Sequence, residues 1–135
     1  YIDRADSFSN VKELRSIVNE QEVKDFLLKK GFKIVKLGDL HFKEQIKKFN
    51  NAKIIVGLHG AGFANLVFCK PGTKIIELRN MTSGKMIEDL AIKNNLEHRS
   101  VSCEPTSFDH SNQFGHISVP IDNLQKEIEL SRINF

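Results

Sequence analysis

Two spacings of apolar residues alternate along this chain and predict alternating helices and strands. Val23, Phe26 and Leu27 follow the three-to-four-residue spacing of an amphipathic helix. Residues 53–57, in contrast, form a nearly continuous β-branched run, which is typical of a strand covered on both faces. The predicted strands are residues 1–4, 32–37, 53–57, 73–78 and 98–103, and the predicted helices follow Asn19, span 42–49 and 83–95, and begin after Pro120.

Polar residues and glycine mark where the predicted helices begin and end. Asn19 and Glu22 have the spacing of a capping box, and Asp122 and Gln125 repeat that spacing before the last helix. Gly31 stands where a C-terminal glycine stops the first helix. In the third helix the positions predicted to face inward are Met86, Ile87, Leu90 and Ala91.

The alternation of strands and helices predicts an α/β fold: a Rossmann-like parallel sheet with helices on both faces. We expect residues 54–57 in the centre of about five strands, because both faces of that run must be covered. A single domain of this kind accounts for residues 1–135. Sheets of this class bind ligands beyond the carboxyl ends of their strands, so the residues that follow each strand are the first candidates for chemistry.

Composition and charge narrow the class of ligand. The chain has 135 residues and a mass of 15.4 kDa, with 20 Lys and Arg against 17 Asp and Glu, a net charge of +3 and a pI of about 8.9. The basic residues are scattered and form no stripe interleaved with aromatics, so we expect no nucleic-acid partner. A mildly basic surface suits a small anionic ligand.

The sequence gives little indication of disulfides or metal-binding cysteines, of a membrane segment or of a targeting peptide. Cys69 and Cys103 belong to neither a CxxC nor a Cys/His zinc pattern, so we expect two free thiols and no metal site. No apolar stretch approaches the roughly 20 residues of a transmembrane segment, and no signal peptide is visible. The chain opens with Tyr1 rather than Met, inside a predicted strand, so we expect a piece of a longer protein.

The turn after the predicted central strand holds the residues best suited to bind a ligand. His59, Gly60, Ala61 and Gly62 follow the apolar run and lead into an apolar helix. Glycines let another group approach the backbone, and the amides at a helix start favour an anion such as phosphate. The alternative is a tight turn that only packs the helix closely on the sheet. The full GxGxxG spacing of an NAD site and the Lys-Ser/Thr of a P-loop are both missing.

A set of motifs in a fixed order carries a family resemblance. The motif residues are Arg4, Arg15, Asn19-Glu20, residues 42–45, residues 51–53, residues 59–62, Asn65 and residues 70–78. Together they resemble the signature of glycosyltransferase family 61, although His41 stands where that family more often has Ser. The resemblance implies a GT-B architecture of two Rossmann-like domains, with this chain as the C-terminal donor-binding domain and the N-terminal domain missing from it.

The same resemblance implies a reaction and its partners. It implies an inverting transfer from a UDP-sugar to a glycan or polysaccharide acceptor, as in capsular polysaccharide biosynthesis, with no cofactor beyond the donor. The residues implied to contact the donor are Arg4, Arg15, His59, Gly60, Ala61, Gly62 and Asn65. Glu77 either accepts hydrogen bonds from ribose hydroxyls or is paired with Arg79 or Lys74. Arg4 and Arg15 suit a diphosphate because a guanidinium binds two oxygens at once, although Arg15 can equally be a solvated residue before the first helix.

One catalytic role has no candidate in this sequence. Inverting transfer needs a base for the acceptor hydroxyl and positive groups for the departing nucleoside diphosphate. The catalytic base is unknown, and we expect it in the missing domain. The main alternative is a non-catalytic nucleotide- or anion-binding Rossmann-like module. A preference for UDP over ADP and GDP would favour the transferase, and indifference among them would favour the module. For a bacterial source we expect a cytoplasmic location, with any membrane association made through the parent protein.

Overall fold

The fold is described by a computed structural model, which covers residues 1–3, 17–80, 83–105 and 117–133. The strands are β1 (Ile2–Asp3), β2 (Val35–Lys36), β3 (Ile54–Leu58), β4 (Lys74–Arg79), β5 (Glu97–Ser102), β6 (Glu104–Pro105) and β7 (Ile117–Ser118). The α-helices are α1 (Glu20–Lys29), α2 (Phe42–Asn51), α3 (Met86–Lys93) and α4 (Ile121–Arg132), and 3₁₀ helices cover Leu37–Asp39 and Ala61–Phe68. Over these ranges no helix has the length and apolar character needed to cross a membrane.

A five-stranded parallel sheet forms the centre of the fold, in the strand order β2-β1-β3-β4-β5. β3 is the middle strand: its Gly57 lies opposite Ile2 of β1, and its Ile55 lies opposite Ile75 of β4. The predicted α/β class, the parallel sheet and the central position of residues 54–57 are therefore confirmed. β6 and β7 form a separate antiparallel pair.

Two hydrophobic layers cover the two faces of the sheet. The first layer joins Val56 and Ile76 of the sheet to α1 and α4, and the second joins Ile55 and Ile75 to α2, α3 and the 3₁₀ helix Ala61–Phe68. The buried helix residues are Val23, Leu27, Leu124 and Ile128 in the first layer and Phe49, Phe63, Leu66, Ile87 and Ala91 in the second. Each large apolar side chain removed from water contributes roughly 1.5–3 kcal/mol, so both layers are needed to hold this sheet.

The start of α1 is fixed by a distant contact rather than by local capping. Asn19 is the N-cap residue, but its side chain makes no capping hydrogen bond. Its Nδ2 donates to the carbonyl oxygen of Val119 at 2.9 Å, and its Oδ1 accepts from the N–H of Val119, also at 2.9 Å. The predicted capping box is therefore wrong, because Oδ1 of Asn19 accepts from Val119 rather than from the helix backbone. The two side chains still meet, with Nδ2 of Asn19 donating to Oε2 of Glu22 at 3.3 Å.

Two further contacts join the same parts of the chain. The N–H of Val18 donates to the carbonyl oxygen of Ile117 at 2.8 Å, and Nη2 of Arg132 donates to the carbonyl oxygen of Lys30 at 2.7 Å. With the amide of Asn19 they tie both ends of α1 to the segment that runs from β7 through α4.

The other predicted helix ends have mixed outcomes. Gly31 follows α1 with a φ of +88°, a left-handed conformation that glycine adopts easily, so the predicted stop is confirmed. α4 begins at Ile121 with Pro120 as its N-cap, so Asp122 lies inside the first turn. The predicted capping box of Asp122 and Gln125 is wrong, because the helix starts before it; the Asp122 carboxylate still complements the helix dipole there.

Two elements are shorter than their patterns predicted. α3 begins at Met86, and this side chain is 63% exposed rather than inward, because Ile87 and Ala91 fill the buried face. β2 has only Val35 and Lys36, which pair with Ile2 and Asp3 of β1, because the chain then turns into the 3₁₀ helix Leu37–Asp39.

Both cysteines are free and buried, in agreement with the sequence. Burial raises the pKa of the Cys69 thiol to about 11. Burial likewise raises the pKa of Cys103 to about 11, against a smaller opposing contribution from the backbone of Arg79. At neutral pH both groups are therefore thiols that fill the core rather than reactive thiolates.

Packing requires a glycine at position 57, in the middle of β3. A Cβ atom there would lie 3.0 Å from Cζ of Phe63 and 3.4 Å from Cδ1 of Ile2. We expect Gly57→Ala to lower the free energy of unfolding by about 1–3 kcal/mol, because a packed layer has to move to admit the methyl group. Urea denaturation followed by circular dichroism measures this loss.

Gly84→Ala is the matched control, since a Cβ atom at that position has no neighbour within 4 Å. It should change the free energy of unfolding by less than about 1 kcal/mol, and in the stabilising direction. Equal losses in the two variants would show that the contact between Gly57 and Phe63 does not restrict the core.

Candidate functional site

The carboxyl edge of the sheet brings the ends of β3 and β4 together. His59 directly follows β3, and its backbone N–H donates to the carbonyl oxygen of Leu78 in β4, 2.9 Å away. Glu77 is the residue before Leu78. Because alternate residues of a strand share a face, Glu77 lies on the face of Ile75, which packs in the second layer, and Lys74 lies on the opposite face.

Glu77 is a fully buried carboxylate whose partners come from β4, from β5 and from the residue that follows β3. Its Oε2 contacts Nδ1 of His59, and its Oε1 lies 2.9 Å from Nε2 of His98 in β5. Nη1 of Arg79, in β4 itself, lies 3.7 Å from Oε1. The side chains of both histidines and of Arg79 are only slightly exposed, so one buried carboxylate is shared by three cationic or potentially cationic groups.

The charge state of Glu77 determines which hydrogen bonds these partners make. Burial by itself raises the pKa of the carboxyl, but hydrogen bonds from His98 and His59 and the nearby charges of His59 and Arg79 outweigh burial, so the pKa lies below its ordinary value. An ionised carboxylate only accepts hydrogen bonds. We therefore assign Nδ1–H of His59 and Nε2–H of His98 as donors to Glu77.

The sequence offered Arg79 or Lys74 as the ion-pair partner of Glu77. In the structure Arg79 lies near the Glu77 carboxylate, and Lys74 pairs with a different residue. Nζ of Lys74 instead lies 2.6 Å from Oε2 of Glu97. Lys74 pairs elsewhere because residues three positions apart on a strand, such as Lys74 and Glu77, lie on opposite faces of the sheet. The histidine partners were missed, because His98 has no motif around it in the sequence and becomes adjacent to Glu77 only when β5 pairs with β4.

The glycine turn ends in a 3₁₀ helix rather than an α-helix. Gly60 is its N-cap, and the N–H of Phe63 donates to the carbonyl oxygen of Gly60 at 3.2 Å. A helix that begins in this way leaves the amides of its first residues without partners inside the helix. The predicted role of the Gly60, Ala61 and Gly62 amides as donors to an anion stays a prediction.

Gly62 has a packing role in addition to its predicted contact. A Cβ atom there would lie 3.4 Å from Cγ2 of Ile2 and 3.6 Å from Cδ1 of Leu37, which is ordinary van der Waals distance. The side of Gly62 that lacks a side chain therefore faces the interior of the protein. Any contact of Gly62 with a donor has to be made by its amide, and a bulkier residue at 62 would test packing rather than ligand access.

The side-chain amide of Asn65 faces α2. Its Nδ2 donates to Oε1 of Gln45 at 3.1 Å, and Nε2 of Gln45 donates to the carbonyl oxygens of Leu37 and Leu40 at 2.8 and 3.3 Å. Asn65 and Gln45 thus join the 3₁₀ helix, α2 and the turn before α2. The structure shows this contact for Asn65 in addition to its predicted role at the donor, which stays a prediction.

Arg4 and Arg15 lie outside the described residues, so their predicted diphosphate contacts stay predictions. In the described part of the chain, Arg79 is the guanidinium nearest to Glu77, and its Nη2 also donates to the carbonyl oxygen of Ser83. Arg79 therefore joins the end of β4 to the loop that follows it.

The largest cavity in the described part of the chain lies away from the turn, and the described residues form no metal-like cluster. A cavity of about 880 Å³ opens near the amino ends of the strands, where Lys33, Lys53 and Phe49 line it. Of the predicted site residues that the structure describes, none lines this cavity. Within the described ranges no group of three or more His, Cys, Asp or Glu side chains could hold a metal ion. His59 and His98 approach different oxygens of Glu77 instead of a common point.

A family model and several curated proteins match this chain. The model of glycosyltransferase 61 matches residues 1–76, a range that contains the turn at 59–62 and ends one residue before Glu77. The EGF domain-specific O-linked N-acetylglucosamine transferase of Gallus gallus is 32% identical over 84 residues, which is 58% of this chain and 16% of that protein.

Two plant enzymes are also similar. The beta-1,2-xylosyltransferase of Arabidopsis thaliana is 32% identical over 75 residues, 46% of this chain and 14% of that protein. The beta-1,2-xylosyltransferase RCN11 of Oryza sativa subsp. japonica is 38% identical over 39 residues, 29% of this chain and 7% of that protein. The chain therefore spans about a sixth or less of the curated relatives described here.

Proposed function

Because the chain belongs to glycosyltransferase family 61, we propose that it binds the nucleotide sugar in an enzyme that transfers a sugar from a UDP-sugar to a glycan acceptor, with inversion. The observation that carries this proposal is the position of the turn at 59–62. It lies within the family match and follows the central strand of a parallel sheet, at the edge where such sheets bind ligands. The named transferases among its relatives support transfer of a sugar rather than binding alone.

In this proposal the chain stabilises the leaving group. The departing nucleoside diphosphate gains negative charge as the bond between the sugar and the phosphate breaks, and fixed hydrogen-bond donors around it lower the barrier. The amides of Gly60, Ala61 and Gly62 and the ring of His59 are the donors at the turn, and Arg4 and Arg15 add charge. The base that deprotonates the acceptor comes from a second, N-terminal domain of a GT-B enzyme, in line with the small share of the relatives that this chain spans.

We expect UDP to raise the Tm of this chain more than ADP or GDP does. The physical reason is binding of the native state alone, which at a ligand concentration of about 100 times Kd adds about 2.7 kcal/mol to the free energy of unfolding. Half of a donor site can have a Kd on the order of 1 mM, which corresponds to about −4 kcal/mol, so the titration has to reach tens of millimolar, where the same relation gives about 2 kcal/mol. Differential scanning fluorimetry with the three nucleotides measures the shifts.

His59→Ala tests the position of the diphosphate. Loss of a hydrogen bond to a charged oxygen should weaken UDP binding by about 10- to 150-fold, from a contribution of about 1.5–3 kcal/mol. His41→Ala is the matched control, because His41 is exposed at the N-cap of α2 and makes no side-chain capping bond. Equal shifts for all three nucleotides would favour the non-catalytic anion-binding module, and unchanged binding in His59→Ala would move the site away from the turn.

A further inference from the structure

The buried carboxylate of Glu77 has a position that suits control of His59 better than contact with a ligand. A residue that binds ribose hydroxyls must offer an oxygen to solvent, but Glu77 has no exposed surface and each of its oxygens already has a histidine partner. A ribose could reach it only by displacing His59 or His98 from a buried contact. The geometry therefore favours a role exerted through a neighbour.

We propose that Glu77 is a positioning residue: it accepts Nδ1–H of His59, which fixes the orientation of that ring and directs its Nε2–H to the donor diphosphate. The inference rests on the proposed function, in which His59 contacts the diphosphate. A histidine that gives Nδ1–H to a carboxylate can meet a ligand only through Nε2. The order carboxylate, imidazole, ligand is the arrangement by which proteins set the tautomer of a functional histidine.

Three strands make this arrangement rigid. The backbone of His59 is bonded to Leu78, so the ring begins from a fixed point at the end of β3. Glu77 comes from the middle of β4, and His98 of β5 donates Nε2–H to its other oxygen, which prevents the carboxylate from rotating. Arg79 lies on the same side as His98, 3.7 Å from Oε1. Positioning groups on paired strands hold geometry better than groups on loops.

The arrangement also makes His59 a stronger donor once a diphosphate is present. The ring would then lie between two anions, with the Glu77 carboxylate at Nδ1 and a phosphate oxygen at Nε2. A phosphate oxygen only accepts hydrogen bonds, so Nε2 needs a proton of its own beside Nδ1–H, and such a charged ring makes a shorter and stronger hydrogen bond than a neutral one. Replacement of Glu77 by a neutral residue removes one of these two anions.

Ring ¹⁵N NMR on the unliganded 135-residue chain tests the inference directly. In the wild type we expect Nδ1 of His59 to carry its proton, with a correlation that persists because the group is buried. In Glu77→Gln the neutral form should shift to Nε2–H, since the side-chain amide can donate to Nδ1. A neutral Nε2–H tautomer in the wild type, or the same tautomer in both proteins, would overturn the proposal. The wild-type spectrum alone decides the matter if the variant does not fold.

Titrations with UDP and with inorganic pyrophosphate separate positioning from ribose contact. If Glu77 acts through His59, Glu77→Gln should weaken both ligands by a similar factor of about 10 or more. If Glu77 binds ribose, only UDP should weaken, and the proposal is wrong. Glu127→Gln is the control, because Glu127 pairs with Arg99 on a partly exposed surface away from the turn.

The two hypotheses fail in different ways. Absence of UDP and pyrophosphate binding in the wild type would refute the donor site while the ring spectra still decide whether Glu77 sets His59. Normal ligand binding with an unaltered His59 ring in Glu77→Gln would refute the positioning role and leave the donor site intact.

Discussion

Glu77→Ala is expected to lower the free energy of unfolding by about 3–5 kcal/mol, the range found when one partner of a buried ion pair is removed. The substitution leaves His59, His98 and Arg79 around a space that no longer holds a negative charge. It also opens a cavity in a fully buried part of β4. Urea denaturation at neutral pH, followed by circular dichroism, measures the loss.

Glu127→Ala is the control for removal of a glutamate that pairs with arginine. Glu127 lies 3.2 Å from Nη1 of Arg99, and both side chains are partly exposed, so the loss should stay below about 1 kcal/mol. Similar losses in the two variants would mean that burial adds nothing to the ion pairs of Glu77.

The loss in Glu77→Ala should depend on pH. Because the pKa of Glu77 in the folded chain lies below its ordinary value of 4.5, its carboxylate stabilises the fold above that value. This stabilisation disappears as the pH falls through the lowered pKa. The wild type should therefore lose more stability than Glu77→Ala between about pH 5 and pH 3, and the gap between them should narrow. A gap that stays constant over this range would show that the charge of Glu77 is not what the core requires.

Phe63→Ala is expected to destabilise the fold by a similar amount, about 3–5 kcal/mol. The Phe63 ring is buried between the sheet and the 3₁₀ helix and lies against Gly57. Its removal leaves a cavity in the second layer beside the turn. Val67→Ala in the same helix is the control: Val67 is 49% exposed and should lose less than about 1 kcal/mol.

A double-mutant cycle makes the test of Phe63 sharper. Gly57→Ala costs stability in the wild type because its methyl group meets the Phe63 ring. In the Phe63→Ala background that obstacle is gone, so the same substitution should cost much less or become neutral. The two losses should therefore be non-additive by at least about 0.5 kcal/mol. Additive losses would show that the two positions do not share a packing constraint.

Most of the fold could be predicted because the apolar pattern and the sheet agree. Residues 54–57 are apolar on both faces, and in a parallel sheet such a run is best covered in an interior strand. What failed was local: Asn19 has a good capping side chain, but Val119 offers it two backbone partners instead. A capping box is a local signal, and no local signal reports a partner 100 residues away.

The turn of the candidate site could be predicted from the sequence, but the histidine partner of Glu77 in β5 could not. The turn at 59–62 is visible because its glycines and histidine are consecutive. Strand alternation alone would have rejected Lys74 as a partner of Glu77, since three positions along a strand lead to the opposite face. His98 required knowledge of which strand lies beside β4 and in which register, and this information is in the pairing rather than in the residues around His98.

The contacts between α1 and the last segment have a consequence for the order in which the chain folds on the ribosome. Synthesis proceeds from α1 to α4, so about 100 residues separate Asn19 from its backbone partner at Val119. Until that segment emerges, the apolar face of α1 lacks the half of its layer that Leu124 and Ile128 supply. Closure of so long a loop delays the last step of folding, and nascent chains arrested before Val119 should bind chaperones and be cut by proteases more readily than complete ones.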